Sequence, residues 1–349
     1  MVLKKKIVKS RKKDADASLF SRLPDEIILQ IVNKLIDLKT LCFCYLVSKR
    51  FSSIVLQVDT ISFTAPLDPN IPDKNTISDV DPSRPNPPKL SSFFGESFLS
   101  ANGFLNTFTG VKSLYIEFPS FGHRDIDNNC LFKWKVKLGH KALSFIFLSP
   151  SSICDKNGLY LNGNVGEEED LELLSDLLKK KLAISFQCLQ DVIAWNVMLL
   201  HLLNNLPTLE QVSITDSGRR GRLSLSGKKL SEVKEWVHSA SEIVFDRVEV
   251  PDMVSKCYIP VLTLPVSGYV MKGVFCALME MKDLHGENDG LLDSEDGFED
   301  KEEAAYIEAM KEVLEKDTGM MQREKLLVKE SKKWKSKGLK QAQVTSNMG

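Results

Sequence analysis

The chain has 349 residues, 43% of them hydrophobic and 27% charged, and a formal net charge of -1, a composition that gives room for two or three folded units and excludes disorder throughout. Seven cysteines, an odd number with no Cys-x-x-Cys pair, argue for reduced thiols in cytosol or nucleus and support neither a disulfide framework nor a zinc site. No apolar run reaches the roughly 18 to 20 residues that cross a bilayer, so the expectation is a soluble protein of nucleus or cytoplasm with no membrane partner.

The small net charge hides segregation along the chain. Residues 4–13, KKKIVKSRKK, hold seven Lys or Arg in ten positions, within a basic tail expected to be disordered over residues 1–18. Such a run is a solvated tail or a nuclear import signal. No aromatic residues are interleaved with the charge, so direct nucleic-acid binding is not expected.

The stretch from Ser21 to Gln57 is the most informative. Pro24 suits the first position of a helix, where its missing N–H has no intrahelical partner, and Asp25 and Glu26 oppose the positive end of the helix dipole. Ile27, Ile28, Ile31, Val32, Leu35 and Ile36 then give an apolar face wide enough to need burial on two sides. Asp37 can cap a second helix carrying Leu38, Leu41, Phe43 and Leu46, and Ser48 a third carrying Phe51, Ile54 and Val55. A trihelical unit of about 37 residues is too small for a self-sufficient core, and its excess apolar surface predicts a docked helical partner.

Leu23-Pro24-x-Glu26-Ile27-Ile28, followed by Ile31, Leu35, Leu41 and Cys44-x-x-Val47-Ser48-Lys49-x-Phe51, resembles the F-box motif in order and spacing. Phe51 stands where many members carry Trp. The resemblance covers about a tenth of the chain, residues 19–57, and implies a Skp1-type adaptor as partner. Through it a cullin and a RING subunit would follow, in an SCF-type ubiquitin ligase that receives a protein substrate from the rest of the chain. It also implies that Leu23, Pro24, Ile27, Ile28, Ile31, Leu35, Leu41, Leu46, Val47 and Phe51 form or support the adaptor interface.

Beyond a short strand at Thr60–Thr64, seven of the fourteen prolines fall between Pro66 and Pro88, which predicts a linker or exposed loop over residues 65–90 separating the adaptor-binding unit from a second domain. Residues 91–282 alternate helix and strand patterns. A helix is expected from Phe93 to Phe108, with Gly103 as a candidate break, and strands at Leu114–Phe118, at Trp134–Leu138 and at Leu143–Leu148, the last apolar throughout and so buried on both faces. Glu168 to Leu206 predicts a long helix stopped by Pro207. Further strands are expected at Leu209–Thr215, Arg222–Ser226, Ile243–Val250, Tyr258–Leu264 and Val274–Met279. Strand centres recur at intervals of about 31 to 33 residues, one gap being double, which suggests irregular repeats resembling degenerate leucine-rich repeats. A single non-repetitive α/β domain fits the same pattern. The segments DVIAWNVMLLHLLNNLPTLEQV and LSLSGKKLSEVKEW also resemble the carboxyl regions of plant F-box proteins.

Residues 283–349 form a charged tail. Nine acidic residues against one Lys occupy 287–303, and eight basic against two acidic occupy 323–340, an order that suits one long solvated helix from Ala304 with a possible break at Gly319. The expected fold class is thus α+β or α/β, a trihelical F-box followed by an irregular strand-helix domain with charged mobile tails.

Catalytic motifs are absent from the sequence. Five scattered histidines lack metal-ligand spacing, and no glycine-rich phosphate loop or nucleophile elbow occurs, so neither cofactor nor metal nor enzymatic activity is expected. One loop, DSGRRGRLSL from Asp216 to Leu225, gathers Arg219, Arg220 and Arg222 between two strands, where guanidinium groups could hold a phosphorylated or acidic substrate segment. A solvated hairpin turn is the plainer reading of that loop. The leading functional expectation is a non-catalytic substrate receptor. The alternatives are a basic-tailed nucleic-acid-binding protein and an adaptor-bound scaffold without ligase role.

Overall fold

The computed structural model describes residues 22–65, 100–118, 130–138, 143–155, 160–162, 171–239, 251–280, 301–316 and 322–325. The basic tail, most of the proline-rich segment, the strand expected at 243–250, most of the acidic run and Gly319 lie outside them.

Local signals start the first three helices, α1 (Asp25–Val32), α2 (Leu38–Val47) and α3 (Lys49–Val55). Asp37 accepts the Thr40 N–H at 2.9 Å and caps α2, and the Ser48 hydroxyl accepts the Phe51 N–H at 3.2 Å and caps α3. Pro24 itself is the residue preceding α1, with its carbonyl accepting from Ile27 and Ile28. Arg50 reaches back from α3, donating to Asp25 at 2.7 Å and to the Leu23 carbonyl, which ties the third helix to the start of the first.

The chain then enters the first sheet directly. Strand β1 (Thr60–Thr64) runs parallel to β2 (Ser113–Phe118), β2 parallel to β7 (Gln211–Asp216), and β7 turns back into the antiparallel β8 (Arg222–Ser226). The end of a helix, α4 (residues 100–105), precedes β2. The second sheet is antiparallel throughout. Its order is β11 (Gln322–Lys325), β9 (Met253–Thr263), β10 (Val270–Glu280), β4 (Leu143–Ser149) and β3 (Lys133–Leu138), with the short β5 (Ser152–Cys154) paired to β10 and β6 (Tyr160–Asn162) paired to β5.

Two helices cover these sheets, and a third, α6 (Gly227–Ser239), follows β8 and packs on the longest helix among the described residues. That longest helix is α5 (Leu171–Asn205). Its Trp195 stacks on Phe118 of β2 at 5.6 Å between ring centroids and lies 5.6 Å from Trp134 of β3, so one helix seals both sheets at their junction. On the far face of the second sheet lies α7 (Lys301–Lys316), whose Ala305, Ala309, Met310 and Val313 pack with Ile146, Leu148, Cys276 and Leu278. Phe145 and Phe147 point the other way, into the larger core, so β4 is buried on both faces as its unbroken apolar run predicts. Lys181 of α5 is buried with its ammonium saturated, donating to the carbonyls of Ser149 and Gly273, each at 3.0 Å, and to the Ser151 hydroxyl at 3.2 Å.

Several expectations are corrected. The trihelical unit is not set apart from the second domain: Ile28, Val32, Leu41 and Val55 belong to the same buried core as Leu114, Val212 and Leu199. Backbone bonds bridge them, Ser62 to Ile36 at 2.7 Å and Thr109 to Leu56 at 2.9 Å, because only four residues separate α3 from a strand inside the sheet. A stack of leucine-rich-like repeats is not what the strands form. Among the described strands only β1, β2 and β7 run parallel, whereas β4 and β10, two of the regularly spaced centres, pair antiparallel. Regular spacing of apolar runs reports where strands fall and is silent about their direction. The single carboxyl-terminal helix is likewise replaced by α7 and strand β11. No break occurs at Gly103, which lies within the helical residues 100–105. Finally, Leu174–Asn205 is long and apolar enough to cross a membrane by length and composition, contrary to the sequence expectation, yet Leu189, Val192, Leu199 and Leu203 bury it between the sheets.

Candidate functional site

The trihelical unit sends its apolar residues to two destinations. Ile28, Val32, Leu38, Leu41, Ile54 and Val55 are buried and hold the helices to one another and to the first sheet. On the opposite side, Ile27 and Ile31 of α1 with Leu35 and Ile36 just beyond it are exposed, and so are Phe43, Leu46 and Val47 of α2, at 62%, 71% and 67%. The i, i+4 pair Ile27 and Ile31 and the i, i+3, i+4 set Phe43, Leu46 and Val47 are helix neighbours, so each helix presents a continuous apolar strip. Seven large apolar side chains left in water on one small unit meet the usual physical criterion for a candidate partner-binding surface.

Among the residues predicted for that surface, Pro24, Ile27, Ile31, Leu35, Leu46 and Val47 face outward, Leu23 and Phe51 are half-buried, and Ile28 and Leu41 point inward as support. Sequence reasoning missed Ile36 and Phe43 as exposed residues. The spacing of Phe43 to Leu46 and Val47 was the signal available for it.

A second feature lies where the first sheet's outward face meets β3 and α7. A cleft of about 280 Å³ opens there, floored by Ser62, Tyr115, Ser213 and Thr215 and walled by the β7–β8 hairpin. Arg219, Arg220 and Arg222 all reach it, joined by Lys133 and Lys135 from β3. The hairpin is anchored, not merely solvated. The Asp216 carboxylate accepts the Arg220 N–H at 2.7 Å, the Arg220 carbonyl accepts from Trp134 N–H at 2.9 Å, and Lys133 donates to the Arg219 carbonyl at 2.7 Å. Arg219 takes a left-handed φ of 49°, and Gly221 lies so close to Trp134 that an added Cβ would sit 2.2 Å from its ring. Arg220 rests its guanidinium 4.6 Å from the Phe132 ring centroid.

Among the described residues no group of three or more His, Cys, Asp or Glu is placed to hold a metal ion. Two buried thiols are poor nucleophiles: burial pushes Cys188 well up, and the hydrogen bond to Cys257, with burial, does the same for Cys276.

Residues 20–59 match the F-box-like family. The F-box protein At1g30200 of Arabidopsis thaliana is 25% identical over 308 residues, covering 73% of this chain and 80% of the relative. Two more from the same plant, F-box proteins AUF2 and AUF1, are 25% and 22% identical, over 62% and 87% of this chain and 69% and 98% of their own lengths. No solved structure gives a significant match. The chain thus carries an F-box-like domain at its amino end and is similar to plant F-box proteins across the α+β region. Proteins of this class are in general non-catalytic adaptors that bind Skp1 through the F-box and serve SCF ligases.

Proposed function

We propose that this chain is the substrate-recognition subunit of an SCF-type ubiquitin ligase, docking a Skp1-type adaptor on its exposed trihelical face and presenting a protein substrate from the α+β domain. It works in nucleus or cytoplasm, the basic residues 4–13 serving nuclear entry. The observation that carries the reading is the uncovered strip of Phe43, Leu46 and Val47 beside Ile27, Ile31 and Leu35 on a unit whose other side is fused to a second domain. Catalysis in such an assembly comes from proximity: the receptor raises the effective concentration of a substrate lysine at the charged conjugating enzyme and contributes no acid or base of its own.

The shared core supports this role, because a substrate held by the α+β domain would keep a fixed orientation relative to the adaptor. The test is co-purification of the full chain with a Skp1-type adaptor, beside a Leu46→Glu, Val47→Glu variant whose changes lie in solvent. Capture by the wild type and loss by the folded variant is the expected result. A folded wild type that captures no adaptor overturns the proposal, and capture of adaptor without cullin would mark a scaffold in place of a ligase subunit.

A further inference from the structure

The cleft between the first sheet and α7 carries more than its charge. Two polar groups of its wall are buried with no hydrogen-bond partner, Nη1 of Arg220 and the phenol oxygen of Tyr306, a residue only 1% exposed. Leaving such groups unsatisfied is unfavourable, and a ligand oxygen that reached them would relieve it. Both groups can donate, and a guanidinium donates only, so the complementary ligand atom is an acceptor. Five cationic side chains against the carboxylates of Glu117 and Glu303 make the cleft favourable to an anion.

The spacing of the cations says which kind of anion. Lys133 and Lys135 lie two residues apart on one face of β3, and across from them Arg220 sits in the turn that precedes Arg222, the first residue of β8. Along a strand that interval is about 6.6 to 6.8 Å, the same interval at which alternate side chains of an extended peptide recur. A row of charges so separated matches successive carboxylates better than it converges on a single phosphoryl group. One carboxylate already sits in this row: Glu303 lies 3.6 Å from Lys135. We propose that the cleft binds an extended acidic segment of the substrate protein, with Asp or Glu at alternate positions and one carboxylate accepting from Arg220 and Tyr306. This rests on the receptor reading for the source of the segment, although the binding site does not depend on the adaptor.

The test uses the full chain and a fluorescent peptide of alternating Ser and Asp, with an Asn-for-Asp peptide and a phosphoserine-for-Asp peptide beside it, read by anisotropy. The Asp peptide should bind at least tenfold tighter than the Asn peptide. Arg220→Gln should weaken it by roughly tenfold or more, and Tyr306→Phe should do the same, since each removes a hydrogen bond to a charged group. Tyr306→Phe removes only an oxygen without a protein partner, so its melting temperature should hold or rise, which separates lost contact from lost fold. Equal binding of Asp and Asn peptides, an unchanged affinity in Tyr306→Phe, or binding of the phosphoserine peptide alone overturns the proposal. Binding that emerges only when residues 287–300 are deleted would assign the cleft to the chain's own acidic run and overturn it as well. Adaptor capture measured on the same preparations fails or succeeds independently, so the two readings can be told apart.

Discussion

Leu46 and Leu41 sit five positions apart near opposite ends of one helix and should respond to truncation in opposite ways. Leu46 is 71% exposed, so most of its side chain is still available to a partner. Fully burying a leucine is worth about 1.5 to 3 kcal/mol, so an interface can recover about 1 to 2 kcal/mol from what remains exposed. Leu46→Ala should therefore weaken adaptor binding roughly 5- to 30-fold while leaving stability nearly unchanged. Leu41 is fully buried and has no surface left to offer. Leu41→Ala should cost about 2 to 5 kcal/mol of folding stability through lost burial and a residual cavity. Titration calorimetry against the adaptor, paired with urea denaturation of the free chain, reads both numbers. An unchanged adaptor affinity in Leu46→Ala, or a stability loss there as large as that of Leu41→Ala, would refute the assignment of α2 to an outward and an inward face.

Three other predictions bear on the frame that holds these sites. Gly110→Ala places a Cβ 2.6 Å from the Gln57 carbonyl oxygen, a backbone atom in the link between α3 and β1, and should destabilise the joint between the trihelical unit and the first sheet by about 1 to 3 kcal/mol in denaturant titration. Lys181→Met strands the Ser149 and Gly273 carbonyls that its ammonium satisfies and should cost about 2 to 3 kcal/mol by the same measurement, while an effect below about 0.5 kcal/mol would deny those bonds a structural role. Burial lowers the pKa of His201, whose Nε2 lies 2.9 Å from the Asn205 amide nitrogen. The unfolded chain then binds more protons than the native one, so stability should be full above about pH 6.5 and fall as pH drops towards the lowered native value. His201→Gln should flatten that slope between pH 7.5 and 5.5, and an unaltered slope would exclude His201 as its source.

Much of this fold is legible because its signals are local. Asp37 and Ser48 cap their helices from sequence neighbours three residues away, and the alternation of Leu114, Ile116 and Phe118 makes β2 whatever it pairs with. The motif from Leu23 to Phe51 is equally local, and it named the unit without any knowledge of the rest. The placement of Arg219, Arg220 and Arg222 between two strands was also readable, as a hairpin.

Strand direction, partnership and exposure were decided by the tertiary structure. Ile27 and Ile28 are adjacent and chemically identical, yet one is exposed and the other buried, because α3 and the shared core cover only one side of α1. The helix α5 is long and apolar enough to cross a bilayer by length and composition, and only the closing of both sheets around Trp195 and Leu199 makes it a core helix. The cleft joins Arg220 to Tyr306, 86 positions further along, through contacts between two sheets and a helix. Periodicity fixes which residues share a face of one element, whereas burial depends on which other element arrives to cover it, and that information is spread over the whole chain.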